Sequence, residues 1–209
     1  MSTIRKIVLT GGPCGGKSMG MSFLASKLFE EGYYPIQVPE APTILMNAGV
    51  TPVRGVVPLR EFQESVIDLI LSLEAIAERT AHASRHPKPI IICDRGIMDT
   101  KAYMPPTMFA EVMKERKLDA ESVRNERYHA VFHLQSAAVG AEHAYTQENN
   151  TARFETLAEA RLADERTLLA WRGHPNLLVI DNHGKTFDQK LSFLWEKVSR
   201  ELGRESSAH

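Results

Sequence analysis

The chain has 209 residues, 43% of them hydrophobic and 24% charged, which suits one soluble globular core and excludes a disordered or fibrous chain. Lysine and arginine total 25 against 26 for aspartate and glutamate. No global charge excess therefore points to nucleic acid, an anionic membrane or a basic partner, and any anion site has to be local.

The apolar run at the start covers only residues 7–9, far short of a signal-peptide core or a membrane span of about 20 residues, so a cytoplasmic protein without a transmembrane segment is expected. Residues 4–9 form a short β-branched run ended by glycines, and Lys17–Glu30 carries helical apolar spacing at Met21, Leu24, Ala25 and Leu28. Gly32 closes that helix, and Tyr34–Val38 gives a second strand leading to Glu40 between Pro39 and Pro42.

An irregular stretch rich in proline and glycine follows. Residues 59–84 then place Phe62, Val66, Leu69, Ile70, Leu73, Ile76 and Ala77 on one face of a long helix, whose plain reading is core. Residues 89–93 are continuously apolar, as in a central parallel strand covered on both faces, and Asp94-Arg95-Gly96 follows at their end. Helical spacing resumes over 108–117 and 120–126, with strands over 130–134 and 177–180. Between those strands, residues 151–171 show a charged helical pattern with Arg153, Arg161 and Arg166, and a last helix covers roughly 187–202.

Strands alternating with helices predict an α/β fold of the P-loop NTPase type: a central parallel sheet of about five strands with helices on both faces. One domain is expected over residues 1–203, with a polar tail over 204–209. In such sheets ligands bind beyond the carboxyl ends of the strands, and three polar punctuations fall there: the glycine segment after the first strand, Glu40, and Asp94-Arg95.

Gly11-Gly12-Pro13-Cys14-Gly15-Gly16-Lys17-Ser18 fits G-x-x-x-x-G-K-[ST] in full, between a predicted strand and a predicted helix, the context this motif requires. Glycines let successive N–H groups turn toward phosphate oxygens, and the helix start adds its positive end. Lys17 is then expected on the β- and γ-phosphates and Ser18 on Mg²⁺, with Met19 completing the nucleotide-binding set. Cys14 fits plain packing better than redox sensing, since bound phosphate would block its thiol. Two cysteines, Cys14 and Cys93, predict reduced thiols rather than a disulfide framework or zinc spacing.

Asp94, ending an apolar strand, is the expected second Mg²⁺ residue. Arg95 either clamps a phosphate bidentately or makes a surface ion pair with Asp94. Glu40 either accepts a proton from an acceptor hydroxyl or serves as a turn carboxylate. The 151–171 segment reads either as a solvated helix or as a lid bringing Arg153 or Arg161 onto the developing charge. His129 and His133 lie about 13 Å apart along a strand, too far for one zinc.

With these residues placed, the chain resembles, over nearly its full length, the small P-loop family of AAA-type domains that groups NadR-like kinases with the TRPL translocation defect protein. The resemblance rests on residues 6–18, on Val38-Pro-Glu-Ala-Pro-Thr-Ile-Leu45, on Cys93-Asp-Arg-Gly-Ile-Met-Asp99, on Asn149-Asn150 with Arg153, and on the 173–175 and 180–182 segments. It implies nucleotide binding, either by a kinase or ATPase or by a guanine-nucleotide-binding protein that contacts phosphoinositides. A looser similarity to deoxynucleoside kinases, at Glu40, Phe62-Gln63 and Asp94-Arg95-Gly96, implies a base at Glu40 and a phosphate clamp at Arg95; this chain has Asp-Arg-Gly where those kinases have Glu-Arg-Ser.

No Asn-Lys-x-Asp guanine box occurs, and Asn182 after the last strand is where base contacts are expected. The expectation is therefore a protein that binds ATP or GTP with Mg²⁺ and transfers the terminal phosphate to a small-molecule acceptor. The alternative is a nucleotide switch read by a partner or a phosphoinositide lipid.

Overall fold

The computed structural model describes residues 4–142 and 156–203, and the side chain of Arg54 is outside the description. Five strands, β1 (Arg5–Thr10), β2 (Tyr34–Val38), β3 (Pro89–Asp94), β4 (Ala130–Leu134) and β5 (Leu177–Ile180), form one sheet in the order β2-β3-β1-β4-β5. Every pairing is parallel; Leu9 lies opposite Asp94 and Thr10 opposite His133. β1 is central, with β3 on one side and β4 on the other, and the connection from β3 to β4 passes over it, so its carboxyl end is the point where the crossovers diverge and a crevice opens.

Alternation along each strand sends side chains to two cores. Ile7, Leu9, Ile90, Ile92, Phe132 and Leu134 pack against α1 (Lys17–Glu30) and α7 (Phe187–Gly203). Val8, Ile91, Cys93 and Val131 face α3 (Leu59–Ala83), α4 (Pro106–Glu115), α5 (Ala120–Asn125) and Trp171, which ends α6 (Leu157–Trp171). The sheet therefore has helices on both faces, as its apolar strands require.

Three local features depart from expectation. The stretch after β2 is a short helix, α2 (Ala41–Asn47), rather than irregular chain; Glu40 stands at its N-cap with Pro42 in the first turn, where a missing N–H costs nothing. Ile97–Tyr103 forms a 3₁₀ helix directly after β3, where Asp99 accepts from the Gly96 N–H. On α3 the buried stripe includes Glu74, while Ile76 is 51% exposed. Glu74 is drawn inside by Lys6 Nζ at 2.6 Å, Arg127 Nε at 2.8 Å and Tyr128 Oη at 2.7 Å. A carboxylate so fully bonded can occupy a core position that hydrophobic spacing assigns to an aliphatic residue.

Candidate functional site: the phosphate loop and its acidic edge

The chain leaves β1 through Gly11 at φ 137° and enters α1 through Gly16 at φ 84°, a left-handed N-cap with no side-chain cap. The first-turn N–H groups of α1 are thus left for a ligand, and the helix adds its positive end. The glycines answer a second constraint, packing. A Cβ on Gly11 would collide with the Leu134 carbonyl, one on Gly12 would lie 2.7 Å from Asp164 Cβ, and one on Gly16 2.5 Å from the Phe187 ring. The loop is wedged among the end of β4, the middle of α6 and the start of α7.

Hydrogen bonds fix it there. Gly12 N–H donates to Asp164 Oδ1 at 2.8 Å, and the same oxygen accepts Ser136 N–H at 3.0 Å and lies 3.2 Å from His133 Nε2. Burial raises the Asp164 pKa, but His133 and the two amides outweigh it and hold the carboxyl below its usual range. Ser136 Oγ donates to the Pro13 carbonyl and Ala137 N–H to the Cys14 carbonyl. Lys190, buried on α7, donates to Gly15 O at 3.1 Å, Gln135 O at 2.6 Å and Asn182 Oδ1 at 2.8 Å. Asn182 Nδ2 in turn donates to Ser136 O at 2.7 Å and Val139 O at 2.8 Å. The amide of Asn182 is committed to the frame behind the loop.

In front of the loop, Lys17 Nζ donates to Gly11 O at 3.1 Å and Gly12 O at 2.8 Å. Burial and the nearby Arg95 lower its pKa to about 8, against the opposing pull of Glu40, Asp94 and Asp99. Arg95, left-handed at φ 70°, donates through Nε to Glu40 Oε1 at 2.5 Å and through Nη1 to Gly11 O at 3.3 Å and Asp99 Oδ1 at 3.2 Å. Its guanidinium also lies 5.7 Å from the Tyr103 ring centre. The Asp94–Arg95 surface pair is not what the side chain makes: it turns inward, to Glu40 and Asp99.

Two carboxylates at this edge are driven apart. Burial favours the neutral form of Glu40, yet Arg95 and the Thr43 hydroxyl reverse that and hold it at about 2. Burial raises Asp94 to about 6, with Glu40 adding to the rise and Lys17 and Arg95 opposing it. Asp94 Oδ1 is buried without a hydrogen-bond partner among the described residues. A buried carboxylate oxygen left open at the end of β3, with Ser18 exposed on the first turn of α1, fits a divalent cation that needs only one or two protein ligands besides phosphate oxygens.

Lys17, Glu40, Asp94 and Arg95 are brought together at the carboxyl edge of β1 and β3. Arg153 lies outside the described residues. Arg161 turns away from the loop, donating to Ala138 O at 2.6 Å and pairing with Glu142 at 2.8 Å. Met19 is 61% exposed on the first turn of α1.

Sequence reasoning missed Asp99, Asp164 and Lys190. Asp99, 2% exposed, accepts from Thr10 Oγ1, Arg95, Gly96 N–H and Trp171 Nε1. A signal existed for the other two. Asp164 falls on the stripe Ala160, Asp164, Thr167, Trp171, and Lys190 on the stripe Lys190, Leu191, Leu194, Val198; a charge inside a buried helical stripe marks an internal partner.

A family model described as an AAA domain matches residues 6–189, which contain the phosphate loop, both acidic strand ends and the Asp164 and Asn182 braces. No curated protein matches the chain. No helix among the described residues is long and apolar enough to cross a membrane.

Proposed function

The chain belongs to this AAA domain family and is a P-loop nucleotide-binding protein, and from that premise we propose that it is a phosphotransferase. In this reading it moves the terminal phosphate of ATP or GTP to a hydroxyl of a small molecule, or to water, in the manner of the NadR-like kinases it resembles. One domain over residues 1–203, in the cytoplasm, carries the activity. The observation that carries the reading is Arg95, held at once by Glu40, Asp99 and the Gly11 carbonyl beside the open oxygen of Asp94.

Phosphoryl transfer through a loose transition state asks mainly for positioning and for positive charge at the transferring group. Lys17 leaves the Gly11 and Gly12 carbonyls for the β- and γ-phosphates, and the free N–H groups from Gly15 to Met19 hold the same oxygens. Ser18 and Asp94 hold Mg²⁺, which supplies charge that offsets that of the phosphates. Glu40, ionised at neutral pH, accepts a hydrogen bond from the acceptor hydroxyl and aligns it; a carboxylate held at about 2 is a weak base, and a loose transition state requires little more. Arg95 then bridges Glu40 and the transferring group, and Arg153 adds a second guanidinium from the 151–155 segment.

Purified protein with Mg-ATP or Mg-GTP and a broad panel of hydroxyl acceptors tests this directly. Turnover that collapses in Lys17→Ala and falls at least a hundredfold in Arg95→Ala is expected. Wild-type turnover no higher than that of Lys17→Ala would end the reading.

The Asp164 contact favours a second reading, a switch in which nucleotide occupancy is relayed from Gly12 to α6 and read by a partner or a phosphoinositide lipid. Tight binding, turnover slower than about one per hour, and nucleotide-dependent protection of residues 151–171 from protease are expected of a switch. Protection that ignores nucleotide removes its mechanism.

A further inference from the structure

The inward stripe of α7 is sealed along its length except at its head. Lys190, Leu191, Leu194 and Val198 are buried, whereas Phe187, one turn before Lys190 on the same stripe, is 37% exposed. The head of the stripe meets the phosphate loop. The Phe187 ring lies against Gly16, so close that a Cβ there would fall 2.5 Å from Cε2 and 3.0 Å from Cζ. One side of the ring is therefore spent on the loop backbone.

We propose that Phe187 is the stacking platform for the base of the nucleotide whose phosphates the loop holds. The inference rests on the nucleotide-binding reading of the loop and not on the phosphotransferase reading. Phe187 adjoins Gly16, the residue at which the loop turns into α1, so a planar group attached to loop-bound phosphates leaves the loop beside this ring. Continuity with the phosphate site selects a nucleobase as the occupant over a protein side chain. Met19, 61% exposed on the first turn of α1, adds a polarizable surface near the same exit.

The chemistry also says what kind of recognition to expect. Every base has a π face, so stacking on an aromatic ring is tolerant of base identity. Asn182, the residue placed by sequence to read the base, has its amide committed to Ser136 and Val139 carbonyls and its oxygen to Lys190. Adenine and guanine nucleotides are thus held by the same surface, with little discrimination from these two residues.

Calorimetric titration of the full chain with Mg-ATP, Mg-GTP and Mg-tripolyphosphate, which has phosphates and no base, separates the roles. Phe187→Ala is expected to weaken ATP and GTP binding by the same factor, about ten- to a hundredfold, and to leave tripolyphosphate binding within about twofold. Phe187→Trp is expected to retain nucleotide binding and to show fluorescence quenching by ATP beyond that of the wild type, which tripolyphosphate does not produce. Phe187→Leu keeps most of the packing volume and loses the π face, so it gives the same ordering of ligands should the alanine variant fail to fold.

Equal loss of ATP and tripolyphosphate would assign Phe187 to loop packing and overturn the platform, as would unchanged ATP binding in both the alanine and leucine variants. Wild-type protein that binds tripolyphosphate but gains nothing from the base also overturns it while leaving the loop's role intact. Wild-type protein that binds none of the three overturns the nucleotide reading and the platform together.

Discussion

The Oδ1 atom of Asp164, in the middle of α6, accepts the amide hydrogen of Gly12 at 2.8 Å, so a carboxylate 152 residues away in sequence closes one side of the phosphate loop. The same oxygen serves Ser136 N–H and lies beside His133, which makes it the joint between the loop, the end of β4 and α6. Removing it leaves two buried N–H groups without their acceptor and takes away the carboxylate beside the buried His133 ring. Asp164→Ala is expected to destabilise the fold by about 2–4 kcal/mol in denaturant unfolding and to weaken Mg-ATP binding in the protein that remains folded. Asp164→Asn, which keeps the acceptor oxygen, is expected to recover more than half of the lost stability.

Lys17 gives nucleotide binding a pH dependence of definite sign. Its ammonium is half-titrated near pH 8 in the free protein, because burial and Arg95 disfavour the charge. Phosphate oxygens favour the charged form, so binding at high pH requires proton uptake. ATP affinity measured by calorimetry is expected to be flat between about pH 6.5 and 7.5 and to fall up to tenfold per pH unit above about 8. Lys17→Arg, whose guanidinium stays charged, is expected to remove the alkaline fall whatever its effect on affinity at neutral pH.

Asp94 costs the free protein stability. Its folded-state pKa of about 6 lies above the ordinary aspartate value of 3.8, so the folded chain binds more protons than the unfolded one between those values. Its contribution to stability therefore falls as pH rises through this window and is least favourable above about 6. Asp94→Asn is expected to stabilise the protein at pH 7 by roughly 1–3 kcal/mol in denaturant melts, to flatten the acid-side slope, and to abolish Mg²⁺-dependent turnover.

The polar core under α3 separates folding from function. Glu74 is fully buried beneath the sheet and bonded to Lys6, Arg127 and Tyr128, with none of these bonds made to the phosphate loop. Glu74→Ala takes the carboxylate from Arg127 and the Tyr128 hydroxyl, leaves Lys6 with Glu78 alone, and is expected to cost about 3–5 kcal/mol in chemical denaturation. Nucleotide affinity of the folded fraction is expected to stay within about twofold of wild type.

Which side chains gather around the phosphate loop was legible in part because their signals are local. Glycine at fixed spacing before Lys17 and Ser18, and carboxylates at the ends of apolar runs, can be read from neighbours in sequence. Asp99 could not be ranked that way, since its four donors come from β1, from the turn after β3 and from α6. The short helix α2 was hidden because Pro42 within it and Pro39 and Gly49 beside it also suit a loop, and only the packing of Ala41 and Leu45 against the α3 core selects the helix.

By itself the sequence determined the α/β alternation, the phosphate loop and the strand ends where Glu40, Asp94 and Arg95 stand, because hydrophobic period and turn chemistry are properties of adjacent residues. Only the tertiary structure decided that Arg95 turns inward to Glu40 and Asp99, that Asn182 and Lys190 brace the loop from behind, and that Asp164 and Phe187 border it. Among them, Arg95 with Glu40 and Lys190 with Gly15 join residues 55 and 175 positions apart. They exist because the strand order brings β1 between β3 and β4, so the helices that cross those strands converge on one glycine loop.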